Sequence, residues 1–375
     1  MSGYEPCTFG PVDVPLVDVE RELTRHLKQA HGVSDAPVHR ARMSNLIVFC
    51  DTIERAAEVE AIIPDIVAIH PARVLMLVAQ DHSGSSDIHS SIMIRKAGHE
   101  VQLCSEQVTL RGGTHSSEHL SFAARHLVIG DLPTNLWWAT HTPPPIAGPI
   151  LEELAENAQQ VIYDSLGWAD PHRGIAATSD WLSRFERGSG QGKWRVVSDL
   201  NWRRLKIWRR IIGQAFAPAA APGAVDSITE VRIDHGPHAV TLAWSLVGWL
   251  AYRLEWTIQA TRFKPGVEIA FQIQAPHGPL RLTIDRLADG PSEIRRVRVA
   301  CSIAGRLGAL DFVADNAERL SVLPEGIDAA PRTISVNPMD TAEMLARQLS
   351  DREPDVTFRE AMKSAKILAQ AVVGR

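Results

Sequence analysis

The sequence predicts an α/β N-terminal domain, with helices on a partly parallel sheet, followed by an α+β C-terminal domain with an antiparallel sheet. Three observations support this fold class. From residue 45 to 163, continuous apolar runs alternate with helical patterns, which is typical of parallel strands buried on both faces. The Pro/Ala-rich segment 217–223 then indicates a boundary. Beyond it, short strands recur at roughly ten-residue spacing, and in 267–273 the large apolar residues alternate strictly with Glu268, Ala270 and Gln272, as in a sheet packed on one face.

Hydrophobic spacing and capping residues predict the N-terminal elements. A helix is expected over 17–31, where Val19, Leu23 and Leu27 recur every four residues. Asp51 or Thr52 caps a helix over 53–63, which we expect to end before Pro64. The further strands are 46–49, 74–78, 92–94, 101–103, 135–139 and 161–163, and the further helices are 116–127 and 150–158.

The second half of the chain begins with helices and continues with strands. Its strongest helical pattern covers 198–216, with Ser198 or Asp199 as the N-cap. The other helices are 178–185, 240–254, 341–349 and 358–373, and the strands are 228–233, 256–261, 267–273, 280–284, 297–303 and 310–313. We therefore expect an arm over 1–40, an α/β domain over 41–170 and an α+β domain over 171–375.

Composition narrows the class of protein. Hydrophobic residues make up 45% and charged residues 22% of the 375 residues, enough for a packed core. The net charge is −5, which argues against a general nucleic-acid binder. All ten Trp lie between Trp137 and Trp256.

Cysteine usage and the absence of a targeting pattern predict a cytoplasmic protein. The four Cys form no CxxC motif, and a redox role for one pair stays open. The N-terminus has neither the basic nor the apolar region of a secretory signal. The most apolar stretch, 243–252, is half of the about 20 residues that a membrane span needs, so no membrane partner is expected.

Three motifs resemble catalytic or cofactor sites but are incomplete. Residues 115–119 match the HxxEH zinc pattern, yet no third ligand motif follows, which favours a solvated helix start. Residues 188–193 have misplaced glycines for a phosphate-binding loop, and Trp194 replaces the required Ser or Thr. They also lack the preceding strand of a dinucleotide site. We therefore expect no catalytic residues, no metal and no cofactor.

Two short segments each allow two interpretations. His70 and Arg73 lie in a loop before a strand, where they either contact a ligand or bind nearby carbonyls. Trp137 and Trp138 point to opposite faces of their strand. Either one of them is exposed to a partner, or both are buried in a sheet that is covered on both sides.

The segment 199–210, DLNWRRLKIWRR, is the most informative in the chain. At 100° per residue, one arc faces a core: Trp202, Leu205, Trp208, Ile212 and Phe216. A separate basic stripe contains Arg203, Lys206 and Arg210. Arg204 and Arg209 fall on the apolar side, where a charge requires a carboxylate or phosphate partner. The segment fits a nucleic-acid site, an anion site, a protein interface or a core helix with internal ion pairs.

Several motifs resemble one protein family in the correct order. They are Arg42-x-Ser44-Asn45-Leu46, HPAR at 70–73, DLPxxLWW at 131–138, Asp164-Ser165, DLxWxRLxxWR at 199–209 and WLxxRLxW at 249–256. They resemble the OpcA family of glucose-6-phosphate dehydrogenase assembly proteins over about residues 42 to 256. One departure is Ala217, where the family pattern has Asp in many members.

The resemblance implies a non-catalytic protein that binds an oligomeric, NADP-dependent glucose-6-phosphate dehydrogenase. It would favour the active oligomer, raise its activity and support the oxidative pentose phosphate pathway. We expect a partner- or anion-binding region among these motifs: His70, Arg73, Trp137, Trp138, Asp164, Ser165, Trp202, Arg203, Arg204, Lys206, Trp208, Arg209 and Arg210. The alternative is a sugar-phosphate sensor or enzyme that uses the α/β domain, with His70, Arg73 and Arg204 as ligands.

Overall fold

Two large sheets with helices packed on them form the molecule. The computed structural model describes residues 8–32, 38–80, 88–97, 102–113, 117–146, 148–185, 195–264, 268–303 and 305–373. The first sheet has nine strands and is mostly parallel, and the second has eight strands and is mostly antiparallel. The predicted fold class is therefore confirmed.

The first sheet and its helices are built from the N-terminal half of the chain. Its strands are β1 (Thr8–Val14), β2 (Val38–Arg40), β3 (Ser44–Cys50), β4 (Ala72–Gln80), β5 (His89–Ala97), β6 (Gln102–Gly113), β7 (Thr134–Trp138), β8 (Gln160–Tyr163) and β9 (Val196–Asp199). The helices of this half are α1 (Val19–Gly32), α2 (Ile53–Ile69), α3 (Ser117–Leu127), α4 (Pro149–Ala155) and α5 (Pro171–Ser183).

The second half supplies the other sheet and five more helices. These helices are α6 (Leu200–Arg204), α7 (Lys206–Ala215), α8 (Val240–Arg253), α9 (Thr341–Ser350) and α10 (Val356–Val373). The strands are β10 (Ile228–His235), β11 (Thr257–Lys264), β12 (Glu268–Ala275), β13 (Gly278–Arg286), β14 (Ile294–Ile303), β15 (Arg306–Asn316), β16 (Arg319–Glu325) and β17 (Arg332–Ser335).

The parallel part of the first sheet has the order β6-β4-β3-β7-β8-β9. Numbered along the chain, this is 3-2-1-4-5-6, the order of the doubly wound dinucleotide-binding fold. β5 and β1 extend the β6 edge in antiparallel pairs. The chain reverses its winding direction between β3 and β7, so these two strands form the switch point at which such folds usually bind ligands.

Helices cover both faces of this sheet. On one face α2 packs together with α9, which returns from the C-terminal part of the chain and buries Leu345 and Leu349. On the other face lie α1, α3 and α4, with Val19 and Leu23 of α1 fully buried. The segment predicted as an arm therefore contributes a strand pairing and a buried helix face. The division into domains stays a prediction, and β9 of the first sheet follows residue 170 in the sequence.

Three predicted helices differ from the observed ones. α2 continues past Pro64 to Ile69, because Ile63, Ile66 and Val67 are buried, and this packing outweighs the one hydrogen bond that proline removes. α5 begins at Pro171, where the Asp170 side chain accepts a hydrogen bond from the Arg173 amide.

The predicted helix 198–216 is a strand followed by two helices. Val196–Asp199 pairs with β8 in parallel, so Ser198 and Asp199 end a strand. Asp199 caps α6, which is separated from α7 by a bend at Leu205. Sequence periodicity did not distinguish the helix from the short strand because β9 has only four residues.

Candidate functional site

Five polar residues meet at the carboxyl ends of β8 and β9. Asp164 and Ser165 follow β8, Asp199 ends β9, and Asn201 and Arg204 lie on α6. Tyr163 and Asp199 are paired in the parallel register, which places the residues after β8 beside the start of α6. We call these five residues the β8–β9 cluster. Parallel strands direct their carboxyl ends to one sheet edge, which explains why motifs far apart in sequence meet here.

Asp199 is the buried centre of the β8–β9 cluster. Its carboxylate accepts a hydrogen bond from the Ser165 hydroxyl at 2.5 Å. It also accepts hydrogen bonds from the backbone N–H groups of Ser165, at 3.1 Å, and Asn201, at 2.9 Å. Burial, and then the charge of Asp164, raise the pKa of Asp199 to about 7, although these hydrogen bonds act in the opposite direction. The carboxyl group therefore titrates near neutral pH.

Arg204 and Asp164 form the half-exposed edge of the cluster. Two parallel hydrogen bonds of 2.7 and 2.8 Å join the guanidinium to the carboxylate, and Arg204 also donates to the Asn201 amide oxygen at 2.8 Å. Burial alone would lower the pKa of Arg204, but the charge and hydrogen bonds of Asp164 raise it overall. The predicted acidic partner of Arg204 is therefore present in the chain itself.

The cluster also connects the first sheet to a helix of the second half. The side-chain amide of Asn201 donates to the Ser165 hydroxyl at 2.8 Å and to the Thr241 hydroxyl at 3.2 Å. Thr241 lies in the first turn of α8 and donates to the Ser165 carbonyl at 3.0 Å. The contribution of Thr241 was missed from the sequence, where an isolated Thr on an apolar helix gives no signal.

Trp202 and Arg209 form a second contact on α6 and α7. The guanidinium carbon of Arg209 lies 3.6 Å from the Trp202 ring centroid, and Arg209 donates to the Trp202 carbonyl at 3.0 Å. Burial lowers the pKa of Arg209 to about 10, partly offset by Asp355. The Trp202 ring nitrogen donates to Asp355 at 2.6 Å, which ties α6 to α10. The partner of Arg209 is thus mainly an aromatic face rather than the expected carboxylate or phosphate.

The predicted basic stripe separates into one paired and two exposed cations. Arg203 donates to Gln348 at 3.0 Å and to Asp351 at 3.1 Å, on and just after α9. Lys206 and Arg210 are exposed. Trp208, on the opposite side of α7, is buried. Only part of the stripe is therefore available to a binding partner.

His70 and Arg73 are both buried and are placed away from solvent. His70 lies between the hydroxyl groups of Ser44, at 3.1 Å, and Ser350, at 3.2 Å, and burial lowers its pKa. Arg73 pairs with the fully buried Glu106 at 2.9 Å and with Glu20 of α1, and it donates to the Leu127 carbonyl at 2.8 Å. Of the two interpretations, the structure supports local hydrogen bonding.

Trp137 and Trp138 are both buried, each with 1% of its surface exposed. They pack in the cores on opposite faces of the first sheet. Trp138 stacks on Phe49 with a centroid distance of 4.5 Å. The pair therefore holds the two helix layers on the sheet and presents neither ring to a partner.

The first sheet has the strand order of dinucleotide-binding folds, but the residues at its switch point do not fit a bound dinucleotide. The turn after β3 is Cys50-Asp51-Thr52, without the glycines that let a backbone approach a pyrophosphate. Asp51 and Glu54 place carboxylates at the helix start where that anion would sit. Arg55 closes the crevice between the strands, because its side chain donates to the Ala139 carbonyl at 2.9 Å.

Other expected features can be placed only in part. Within the described ranges, no three His, Cys, Asp or Glu side chains gather as a metal site, and the first two residues of the HxxEH motif, 115 and 116, lie outside those ranges. Residues 188–193 also lie outside them. Cys50, Cys104 and Cys301 are buried and form no disulfide within the described residues, and Cys7 lies outside them. Of the helices in the described parts of the chain, none is long and apolar enough to cross a membrane.

Comparison with solved structures supports the fold. The crystal structure of an oxidoreductase from Sinorhizobium meliloti superimposes with a TM-score of 0.51, covering 89% of this chain and 97% of that one. The identity is 11%, so the likeness concerns the fold alone.

Comparison with protein families covers most of the chain. Residues 64–180 match the model of the OpcA family described as "Glucose-6-phosphate dehydrogenase subunit N-terminal domain", and residues 195–362 match the corresponding C-terminal domain. A "Putative OxPP cycle protein OpcA" of Synechocystis is 28% identical over 256 residues, which are 66% of this chain and 51% of that protein. The protein of the same name from Nostoc punctiforme is 32% identical over 190 residues, which are 50% of this chain and 38% of that protein.

The chain thus spans about half the length, or less, of these curated relatives. The matched regions include the β8–β9 cluster and the helices that carry Trp202 and Arg209. With both family domains matched in order, this chain belongs to the OpcA family.

Proposed function

We propose that this chain is a non-catalytic assembly factor and allosteric activator of a cytoplasmic, oligomeric, NADP-dependent glucose-6-phosphate dehydrogenase. The observation that carries the proposal is the match of both domains to a family described as a subunit of that enzyme. The relatives' names, which refer to the OxPP cycle, agree with a role in the oxidative pentose phosphate pathway.

The geometry supports a binding role rather than catalysis. In the β8–β9 cluster, Ser165 donates to Asp199 and accepts from Asn201, and both Ser165 and Asp199 are buried, so a substrate has no direct access to this hydroxyl group. The Arg204 side chain is held by Asp164 and Asn201. The switch point of the sheet is closed by Arg55 and carries carboxylates where a nucleotide phosphate would bind. These groups build a rigid junction between the two sheets.

A sugar-phosphate sensor is the weaker alternative. Such a ligand would have to displace Glu106 from Arg73 and Asp164 from Arg204, so each buried or partly buried carboxylate would lose a paired guanidinium. Nucleic acid is also disfavoured, because only two cations of the predicted stripe, Lys206 and Arg210, are exposed, and the net charge is −5.

An activator works by binding the active state of its partner more tightly than the inactive state. The maximum activation equals the ratio of those two affinities when the inactive state predominates. Adding the chain to the cognate dehydrogenase should therefore raise its activity or lower its substrate KM in a saturable manner. NADPH formation measures the activity, and sedimentation velocity measures the oligomer and the complex.

The controls separate this proposal from the alternative. An unrelated protein at equal concentration should leave the dehydrogenase unchanged. A thermal shift of the isolated chain with glucose 6-phosphate, absent with glucose, would instead support a sensor. Unchanged kinetics together with the absence of a joint sedimenting species would refute the assembly role.

A further inference from the structure

An open groove lies between the end of α7 and the end of α8. Its volume is about 370 Å³, and its lining is mainly apolar, including Phe216, Trp249, Leu254, Trp256 and Val299. We call it the α7–α8 groove. Two of the ten tryptophans of the chain therefore line a surface groove, whereas Trp137 and Trp138 are buried in the sheet cores. Aromatic side chains in a concave apolar surface are typical of the centre of a protein interface.

Gly213 lines this groove and lies inside α7. A glycine in a helix costs about 0.5–1 kcal/mol relative to alanine. A Cβ atom at Gly213 would meet no atom of the chain within 4 Å, so internal packing does not require a glycine there. Gly248 of α8 is different, since a Cβ there would lie 2.1 Å from the Ala361 carbonyl oxygen. The missing side chain at Gly213 leaves room for the close approach of another molecule.

Positive charge borders the groove. Lys206, Arg210 and Gly213 are spaced i, i+4 and i+7, so the two exposed cations lead along one stripe of α7 into the groove. Arg253 lines the groove and is exposed. In the described part of the chain, none of these three cations forms a side-chain hydrogen bond or an ion pair. Their charge is complementary to carboxylates on an occupant.

Acidic side chains lie at the other end of the surface. Asp226 and Glu255 line an adjoining cavity of about 310 Å³, which shares Arg253, Leu254 and Trp256 with the groove. Asp226 pairs with His277 at 3.0 Å. The surface is therefore basic at the α7 end and acidic at the adjoining cavity. An occupant would direct its own acidic residues towards the α7 end.

We propose that the α7–α8 groove docks an apolar segment of the dehydrogenase flanked by acidic residues, with the segment passing close over Gly213. The inference rests on the proposed function and assigns it a surface. Apolar side chains of the segment contact Trp249 and Trp256, while its carboxylates lie near Lys206 and Arg210 at the α7 end. The contacts in the groove provide most of the affinity, and the exposed cations accelerate association.

The test places a side chain in the groove without disturbing the fold. Gly213→Gln fills open space, and removing a helical glycine should leave the thermal stability equal or higher. Its matched control is Gly130→Gln, because Gly130 is also exposed and a Cβ atom there would meet nothing within 4 Å, but it lies in the turn before β7. We expect Gly213→Gln to raise the Kd for the dehydrogenase at least about tenfold, and Gly130→Gln to leave it unchanged.

A second variant tests the charges. Lys206→Glu combined with Arg210→Glu changes only exposed side chains, so it should fold normally. It should lower the association rate at low salt and weaken the salt dependence of binding. Unchanged association kinetics in this variant would overturn the placement of the acidic residues beside these cations, and an unchanged Kd in Gly213→Gln would by itself overturn the docking site.

The outcomes also separate this inference from the function on which it rests. If the unaltered chain neither binds nor activates the dehydrogenase, the proposed function fails and the docking assignment fails with it. If the unaltered chain and Gly213→Gln bind equally well, the function stands and the groove assignment is wrong. If Gly213→Gln abolishes self-association of the chain and leaves dehydrogenase binding intact, the occupant is a second copy, which also overturns the assignment.

Discussion

Arg204 and Asp164 are joined by two parallel hydrogen bonds of 2.7 and 2.8 Å, although 40 residues separate them in the sequence. The ion pair connects α6 to the carboxyl end of β8, and each side chain remains 21% exposed. This bidentate geometry is stronger and more specific than a single contact. Together with the contacts of Asn201 to Ser165 and Thr241, it fixes the first sheet relative to α8.

Removing either partner of this ion pair should destabilise the chain. We expect Asp164→Asn and Arg204→Gln each to lower the free energy of unfolding by about 1–3 kcal/mol, because each leaves a partly buried group without its partner. The double variant should lose less than the sum of the two single variants, with a coupling energy of about 0.5–3 kcal/mol. Urea unfolding of the four proteins measures this, and strictly additive losses would show that the pair does not interact in solution.

Asp199 should make stability depend on pH near neutrality. Its pKa of about 7 in the folded chain exceeds its ordinary value of about 3.9 in an unfolded chain. Between these two pH values the folded chain binds more protons than the unfolded chain. The free energy of unfolding therefore falls as the pH rises through this range, and the whole destabilisation due to Asp199 is present above the folded pKa. Stability should therefore decline between about pH 4 and pH 7 more steeply in the unaltered chain than in Asp199→Asn.

The measurement is urea unfolding of both proteins across that pH range. The lowered pKa values of His70 and His235 give the opposite slope, but they contribute equally to both proteins and cancel in the difference. Asp164→Asn removes the charge that helps to raise the pKa of Asp199, so it should move the decline to lower pH. Parallel stability curves for the unaltered chain and Asp199→Asn would contradict the raised pKa.

Two helical glycines should respond to alanine in opposite directions. In Gly248→Ala, the new methyl group meets the backbone of Ala361, where α8 packs on α10, and such overpacking costs about 1–3 kcal/mol. Gly213→Ala meets nothing and should gain up to about 1 kcal/mol from helix propensity. Thermal unfolding of both variants tests this, and a Gly248→Ala protein as stable as the unaltered chain would show that the two helices are not in close contact.

Arg73 should be important for stability and unimportant for ligand binding. Arg73→Met removes one of the cations that pair with the buried Glu106 and should cost about 3–5 kcal/mol. The matched control is Arg125→Met, which breaks an exposed pair with Glu156 and should cost less than about 1 kcal/mol. Urea unfolding compares them, and equal losses in the two variants would argue against a buried ion cluster.

Hydrophobic period and motif order predicted much of the fold. The alternation over 267–273 correctly predicted Phe271 and Ile273 in the core and Gln272 in solvent, because successive side chains of a strand point to opposite faces. A helix was also predicted over 240–254, and α8 spans Val240–Arg253. The strands β1, β2, β16 and β17 were missed. Pairing with neighbouring strands stabilises these segments, and that pairing leaves little trace in the local sequence.

The sequence by itself determined the fold class, the family motifs and the requirement that Arg204 have a partner. Only the tertiary structure decided which cations remain free. Arg203, Arg204 and Arg209 are held by Asp351, Asp164 and Trp202, while Lys206 and Arg210 face solvent. A helical wheel gives the angle of each side chain around its own axis. It does not give the distance to elements such as α9, whose contacts lie about 150 residues further along the chain and form only when the two halves pack together.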